Sequence, residues 1–459
     1  MLKFKNKKIL LLPILFLILM TSGFKCGAPP TGLTPGKPTS ITLNYWDVYE
    51  EKSNISELIG LYAQLHPEVS INYRDLSGAE YKDELLNALA EDRGPDIFSI
   101  QTAWTREYLT KILPLPAQIT IPYAVEQGTI KKETFTQMRT EKTLTLRDIR
   151  QLYPDVVYDN QVVNNQIVGL PLSIDTLALF YNRDLLNNAG IQSPPKDWDE
   201  FKEQVKKLTH EDGKGNIIQA GAAIGTASNI NNAPDILSLL LMQNGAGMTD
   251  SSGFATFDKI PAGDTRGFNP GVQALDFYNS FASPSKETYT WNDRMPQDLS
   301  AFMAGKTAFY FGYSYDLALI KAQAPALNFD VVKVPQIKNS LAPSNFANYW
   351  IDTVSTKSKH PDQAWNFILF LATNLEANKK YLDTTRKPTA LRSFIQTQLD
   401  DLTLAPFADQ ILSARSWYKG RNAAKMEEIL KSMINDNLAG AFPTDRILEL
   451  GVQRINIYQ

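Results

Sequence analysis

Seven tryptophans and one misplaced acid are the residues of this chain most suited to chemistry. Trp198 and Trp365 lie on the apolar faces of amphipathic helices, in "DWDEFKEQVKKL" and "PDQAWNFILFL", and read as core. Trp46, Trp104, Trp291, Trp350 and Trp417 instead sit at strand ends, in loops or in polar surroundings, where packing explains a large ring less well. The acid is Asp175, in the middle of the apolar run "VGLPLSIDTLALFYNRDLL". A carboxylate inside a strand is costly unless it is paired, hydrogen-bonded or met by a ligand. Rings and a lone carboxylate are equipment for holding a molecule. Equipment for breaking bonds is harder to find: no G-x-S-x-G, H-E-x-x-H or phosphate-cradling G-x-x-x-x-G-K-S/T loop occurs. His66, His210 and His360 are far apart and stand at helix ends or before proline, so no metal centre, triad or cofactor is expected. The acids of "EDGKGN" miss the calcium-loop spacing and read as a hairpin turn.

The elements that must position these residues alternate between strand and helix. "ITLNYWDVYEE" reads as a strand ending in a polar, aromatic loop, and "SNISELIGLYAQLHPE" as a helix with an Asn54/Glu57 capping box, stopped by Pro67. "VSINYRDL", the helix "YKDELLNALAEDRG" and the strand "PDIFSI" continue a βαβ pattern of a largely parallel sheet. Residues 114–155, with "PLPAQITIP" and "IKKETFTQMRTEKTLTLRDIR", read as surface loops and helices. Residues 161–182 read as a strand pair holding Asp175. The helix that follows has Asp197 as cap and Glu200 completing the box. "KTAFYFG", "NFDVVKVPQ" and "NYWIDTVS" supply later strands, and the C-terminal region is mainly helical.

The chain has 459 residues, 43% of them hydrophobic, which is material for two or three domains. Its 46 basic and 49 acidic residues are evenly mixed, with a net charge of −3, and this excludes a nucleic-acid partner. Residues 1–25 have the three parts of an export signal: Lys3, Lys5, Lys7 and Lys8, the apolar run from Ile9 to Met20, and the small residues Thr21, Ser22 and Gly23. Cys26 is the single cysteine and resembles a lipoprotein's lipid acceptor, although Lys25 replaces the usual small residue before it. Residues 26–40 read as a flexible linker rich in proline and glycine.

Several segments, in order, resemble the extracellular solute-binding proteins of ABC importers, specifically the sugar-binding branch. They are "ITLNYWD", "HPEVSINY", "LLNALAEDRGPDIFSI", "GLPLSIDTLALFYNRDLLNNAG", "PPKDWDEFKEQVKKLT", "AFMAGKTAFYFGYSYDLALIK", "PDQAWNFILFL" and "RKPTALRS". The resemblance implies an α/β, two-lobed periplasmic-binding-protein-like fold with discontinuous lobes and a ligand cleft at the hinge. Lobe 1 would be 41–173 plus 350–390 and lobe 2 174–349 plus 391–459, with crossings near Ser173 to Thr176, Phe346 to Thr353 and Lys387 to Leu391. The expected partners are a mono- or oligosaccharide and the permease subunits of an ABC importer, with the chain acting as a monomer tethered to the membrane through Cys26.

Sugars present hydroxyl edges and weakly apolar C–H faces, so their sites combine flat rings with carboxylates and dual donor–acceptor groups. The resemblance places Trp46 and Asp47 after the first strand, and Gln101 and Trp104 after the third, among ligand contacts. Asp175 falls where an acid binds a sugar hydroxyl. Tyr315 falls where an aromatic ring stacks on the ligand. Trp417, Tyr418 and Arg421 match an aromatic–aromatic–x–x–Arg arrangement that lines such sites. Trp291 and Trp350 complete the candidates, with Arg386 as a further one, and Asn229, Asn231 and Asn232 read either as polar contacts or as a helix cap. For Asp175 a structural alternative stays open, a hinge carboxylate capped by backbone N–H groups. A secreted carbohydrate-active hydrolase and a surface sensor or adhesin are the rival functions.

Overall fold

The computed structural model describes residues 32–129, 131–340 and 342–459. The expected export signal and Cys26 lie outside the described residues. Two five-stranded sheets dominate, each built from strands that are distant in sequence. In the first, Ile41–Val48 lies between the parallel strands Val69–Leu76 and Ile97–Gln101, and Trp350–Ser355 then pairs antiparallel with Ile97–Gln101. The helices Lys52–Leu65 and Gly78–Ala90 make the two crossovers, as the alternation of strand and helix in the sequence requires. The second sheet runs in the order His210–Glu211, Ile217–Ala222, Thr307–Gly312, Ala178–Asn182, Phe329–Lys333. Its strand Ala178–Asn182 is antiparallel to both neighbours.

A third, three-stranded sheet ties the two lobes. Asp175–Thr176 and Ala414–Arg415 flank Asn345–Asn348, with Asp175 opposite Asn348 and Asn345 beside Ala414. Only Tyr349 separates that central strand from Trp350–Ser355 of the first sheet. Ser173 bridges Thr389, so the segments expected to cross between lobes run side by side. Buried side chains fill the lobe 2 core around Phe201, Leu237, Phe309 and Leu430, with Trp198 among them. Trp365 is fully buried and donates Nε1–H to Leu113 O at 3.2 Å.

Local expectations fared unevenly. Asp197 caps its helix by accepting from the backbone N–H of Asp199 and Glu200, but Glu200 takes the N–H of Lys196 instead of closing a box. The first helix starts at Lys52, so Asn54 lies inside it and donates to Glu50 Oε1 at 2.7 Å. The "EDGKGN" segment does join two antiparallel strands, with Asp212 Oδ1 accepting from Lys214 and Asn216 N–H.

The region 114–155 differs most from its reading. Gln118–Gln127 and Glu133–Lys142 are long strands in one sheet with Leu33–Pro35, inside the stretch expected to be linker. Thr120–Glu141 groups with residues 32–40 as a unit separate from the rest of the described residues. Within it, Leu33 faces Gln137, Thr136 Oγ1 donates to Gly36 O at 2.9 Å, and the Arg139 guanidinium lies 4.4 Å over the Tyr123 ring. Pro122 hid the first strand from sequence reasoning. It is tolerated because that strand is at the edge of the sheet, where a missing N–H breaks no ladder.

Candidate functional site

Where the lobes meet, side chains from both surround a cavity of about 30 Å³. From lobe 1 come Gln101, Thr102 and Ala103 at the end of a sheet strand, and Asn160 from the helix Asp155–Gln161. The hinge strand gives Phe346, Ala347 and Asn348. Lobe 2 gives Asp235 from the first turn of the helix Ala233–Gln243, the run Ser416, Trp417 and Tyr418, and Met426 and Glu427 from the helix Ala423–Leu438. Amides, hydroxyls, two carboxylates and aromatic rings thus converge on one space.

The lobes touch around it. Asn160 Nδ2 donates to Ser416 Oγ at 3.1 Å and to Tyr349 Oη at 3.1 Å. Lys419 Nζ donates to Asp159 O at 2.8 Å and also to Asn160 Oδ1. Burial pulls the Lys419 ammonium down to about 8, against the pull of Asp159. Gln101 Nε2 donates to Asn348 Oδ1 at 3.1 Å. A volume of about 30 Å³ is one water molecule's share of the liquid. A sugar-sized site needs several hundred, so the cavity as it stands is smaller than the ligand it would hold.

The expected residues divide into three groups. Gln101, Trp417 and Tyr418 line the cavity, although Trp417 is only 4% exposed, donates Nε1–H to Ser238 Oγ at 3.0 Å, and packs edge-on against Phe257. These two rings belong largely to the lobe 2 core.

A second group surrounds the cavity without lining it. Trp104 packs edge-to-face with Trp350 at 5.2 Å and against the lobe 2 core, with the Lys82 ammonium 5.0 Å over its ring. Trp350 also meets Tyr49, 69% exposed and held at a φ of 60° in the left-handed region. Such a backbone costs energy in a bulky residue and recurs at ligand clamps. Tyr315, 57% exposed, stacks on Tyr313 at 5.6 Å, and Tyr313 Oη donates to Asp235 at 2.6 Å. Asp175 governs this turn: its Oδ2 accepts from Ser314 N and Oγ, and its Oδ1 from Thr176 N. Burial raises the Asp175 carboxyl to about 7 despite those donors. The partner the sequence could not supply is therefore Ser314.

The third group is structural. Trp291 is fully buried, with Nε1–H on Asn229 Oδ1 at 3.0 Å, because the loop carrying it folds under Phe281 instead of into the cleft. Asn229 spends its amide on the carbonyls of Asn292 and Met295, and Asn232 spends its own on Phe311 O. The Asn231 N–H is held by Asp298. Asp47 is buried inside lobe 1, accepting from Tyr45 and Tyr73 hydroxyls at 3.2 Å each. It sits with Asp352 and Glu50, and burial together with the neighbouring acids raises both Asp47 and Asp352. Trp46 is half-buried under the Arg74 guanidinium, 4.9 Å away. Arg421 is exposed, its N–H bonded to Tyr458 O, and Arg386 pairs with Asp401.

Asn160, Asp235, Asn348, Ser416 and Glu427 were missed. Asp235 had a signal, a lone acid opening the apolar run "PDILSLLL"; the others are ordinary polar residues that only the tertiary fold brings together.

This arrangement of two α/β lobes, a three-stranded hinge and a cavity between them is that of a binding protein. The chain belongs to the bacterial extracellular solute-binding protein family, whose model matches residues 46–376, more than half of its length. It is 20% identical to the galactooligosaccharide-binding protein of Bacillus subtilis, over 79% of this chain and 76% of that one. It is 22% identical to a probable ABC transporter-binding protein of Deinococcus radiodurans, over 59% of this chain and 62% of the other, and 28% identical to the B. subtilis maltodextrin-binding protein MdxE, over 53% and 55%. The match thus spans less than two thirds of the length of these last two. Among solved structures, the fold is similar to the sugar-binding protein MalE of Xanthomonas citri, with a TM-score of 0.68 at 19% identity, covering 91% of this chain and 97% of that one. A Thermotoga lettingae ABC transporter solute-binding protein bound with α-D-tagatose gives 0.67 at 18%, covering 91% and 99%.

Proposed function

We propose that this protein is an exported carrier that captures a carbohydrate between its lobes and delivers it to the permease subunits of an ABC importer. The cavity carries the reading: Gln101, Asn160, Asn348 and Ser416 can both donate to and accept from hydroxyls, Asp235 and Glu427 accept, and aromatic rings close the walls. The relatives' names, galactooligosaccharide-binding and maltodextrin-binding, support the same ligand class. Lobe 1 comprises residues 41–173, apart from the 120–141 hairpin, plus 350–390, and lobe 2 comprises 174–349 plus 391–459. The chain works as a monomer without catalysis, removed from its signal and held at the membrane by a lipid on Cys26.

A thermal-shift screen of the mature protein against a mono- and oligosaccharide panel, with reducing ends assayed in parallel, tests this. A shift with some sugar and no new reducing ends is expected. Accumulating reducing ends would replace the carrier by a hydrolase, and the absence of any shift would remove the carbohydrate assignment. For the anchor, Cys26→Ser is expected to move the protein from the membrane to the soluble fraction.

A further inference from the structure

The side chains facing the cavity include two acids, Asp235 and Glu427, and no lysine or arginine. They approach from different helices, Ala233–Gln243 and Ala423–Leu438, and the Glu427 charge raises the Asp235 carboxyl. Among the described residues neither takes part in an ion pair: Asp235 has the Tyr313 hydroxyl on Oδ2, at 2.6 Å, and only the through-space pull of Lys431 opposes its charge. Lys431 and Lys82 act on Glu427 through space, but the Lys82 ammonium is already bound to Glu107 at 2.8 Å. An anionic ligand entering here would meet two carboxylates, with no lysine or arginine among the residues lining the cavity to receive its charge. Unpaired like charges of this kind are how binding sites reject wrong partners.

Resting on the carbohydrate reading above, we infer that the cleft selects by charge: it takes neutral or amine-bearing carbohydrates and rejects those carrying a carboxylate, sulfate or phosphate, through Asp235 and Glu427. A neutral sugar satisfies both acids with hydroxyl donors. An amino sugar does so with a charge-assisted bond, which is stronger than a neutral one. A uronate or sugar phosphate keeps hydroxyl donors but adds an anionic, acceptor-only group that the two carboxylates repel.

Isothermal titration at pH 8 with neutral, amino-substituted, uronate and 6-phosphorylated members of one sugar panel tests the inference, on the wild type and on Asp235→Asn/Glu427→Gln. The wild type is expected to bind neutral or amino members and to bind every acidic counterpart at least tenfold more weakly, and the variant is expected to narrow that gap to threefold or less. An acidic sugar bound by the wild type as tightly as its neutral counterpart overturns the charge selection while leaving the carbohydrate reading intact. A variant that folds, binds neutral sugar and still rejects acidic ones overturns the roles of Asp235 and Glu427. If the variant does not fold, the wild-type panel still decides the selection. Binding of no member at all instead defeats the carbohydrate reading itself.

Discussion

Asp175 Oδ2 accepts two hydrogen bonds from Ser314, one from its backbone N–H at 2.9 Å and one from Oγ at 2.6 Å. This joins the hinge strand to the turn that presents Tyr313 and Tyr315, and Tyr313 in turn bonds Asp235 in the cavity wall. Asp175 therefore acts on the site by holding a turn in place.

Asp175→Ala removes the acceptor of that turn. Loss of a hydrogen bond to a charged group costs about 1–3 kcal/mol. A sugar-binding affinity lowered by about tenfold and a lowered melting temperature are expected together, and Ser314→Ala should give a smaller change of the same kind. Calorimetric titration and thermal melts check both. Weakened binding at unchanged stability would instead mean that the carboxylate meets the ligand directly.

Trp291 and Trp104 should separate cleanly. Emptying the site of a fully buried tryptophan costs about 3–5 kcal/mol, so Trp291→Ala is expected to depress the melting temperature severely, with the surviving folded fraction keeping its affinity. Trp104→Ala, at the cleft, is expected to change affinity more than stability. The reversed pattern would return Trp291 to the site.

Stability should rise as the medium is acidified from pH 8 to 5.5. Burial raises Asp175 and Asp235 to about 7 and Asp298 and Asp316 to about 6, far above the ordinary aspartate value near 4. In this window the fold holds protons that the unfolded chain has released, so each unit of pH decrease favours the fold, and the gain is complete below the unfolded pKa. A melting temperature about 2 °C or more higher at pH 5.5 than at pH 8 is expected, and Asp316→Asn should flatten the slope. A melting temperature that climbs with pH would contradict it.

Lys419 spans the lobes through Asp159 O and Asn160 Oδ1. Lys419→Met should shift the ligand-free protein toward separated lobes, read as an increase in radius of gyration by small-angle X-ray scattering, and should leave the ligand-bound radius unchanged. An unaltered ligand-free radius would show that the contact follows closure without favouring it.

The architecture was legible because burial in two sheets leaves a periodic trace: the strands around Tyr45, Ile71 and Phe98 and the amphipathic helix holding Trp198 can be seen one at a time. The site was legible only where a residue was locally anomalous, as Asp175 was. Trp291 was anomalous too, yet its anomaly was resolved by Asn229, 62 positions away. Asn160 and Ser416 lie 256 positions apart and differ in no local respect from solvent-facing residues. The hairpin at 118–142 failed for a different reason, a proline that forbids a central strand but not an edge one.

The size of the cavity also has a kinetic consequence. At about 30 Å³ the cavity is smaller than a sugar, and Lys419 bonds Asp159 and Asn160 beside it, so a sugar can enter this space only as such contacts part. An association rate that levels off at high ligand concentration would mark the parting of Lys419 from Asn160 as the limiting step, on the microsecond-to-millisecond scale of hinge motions or slower.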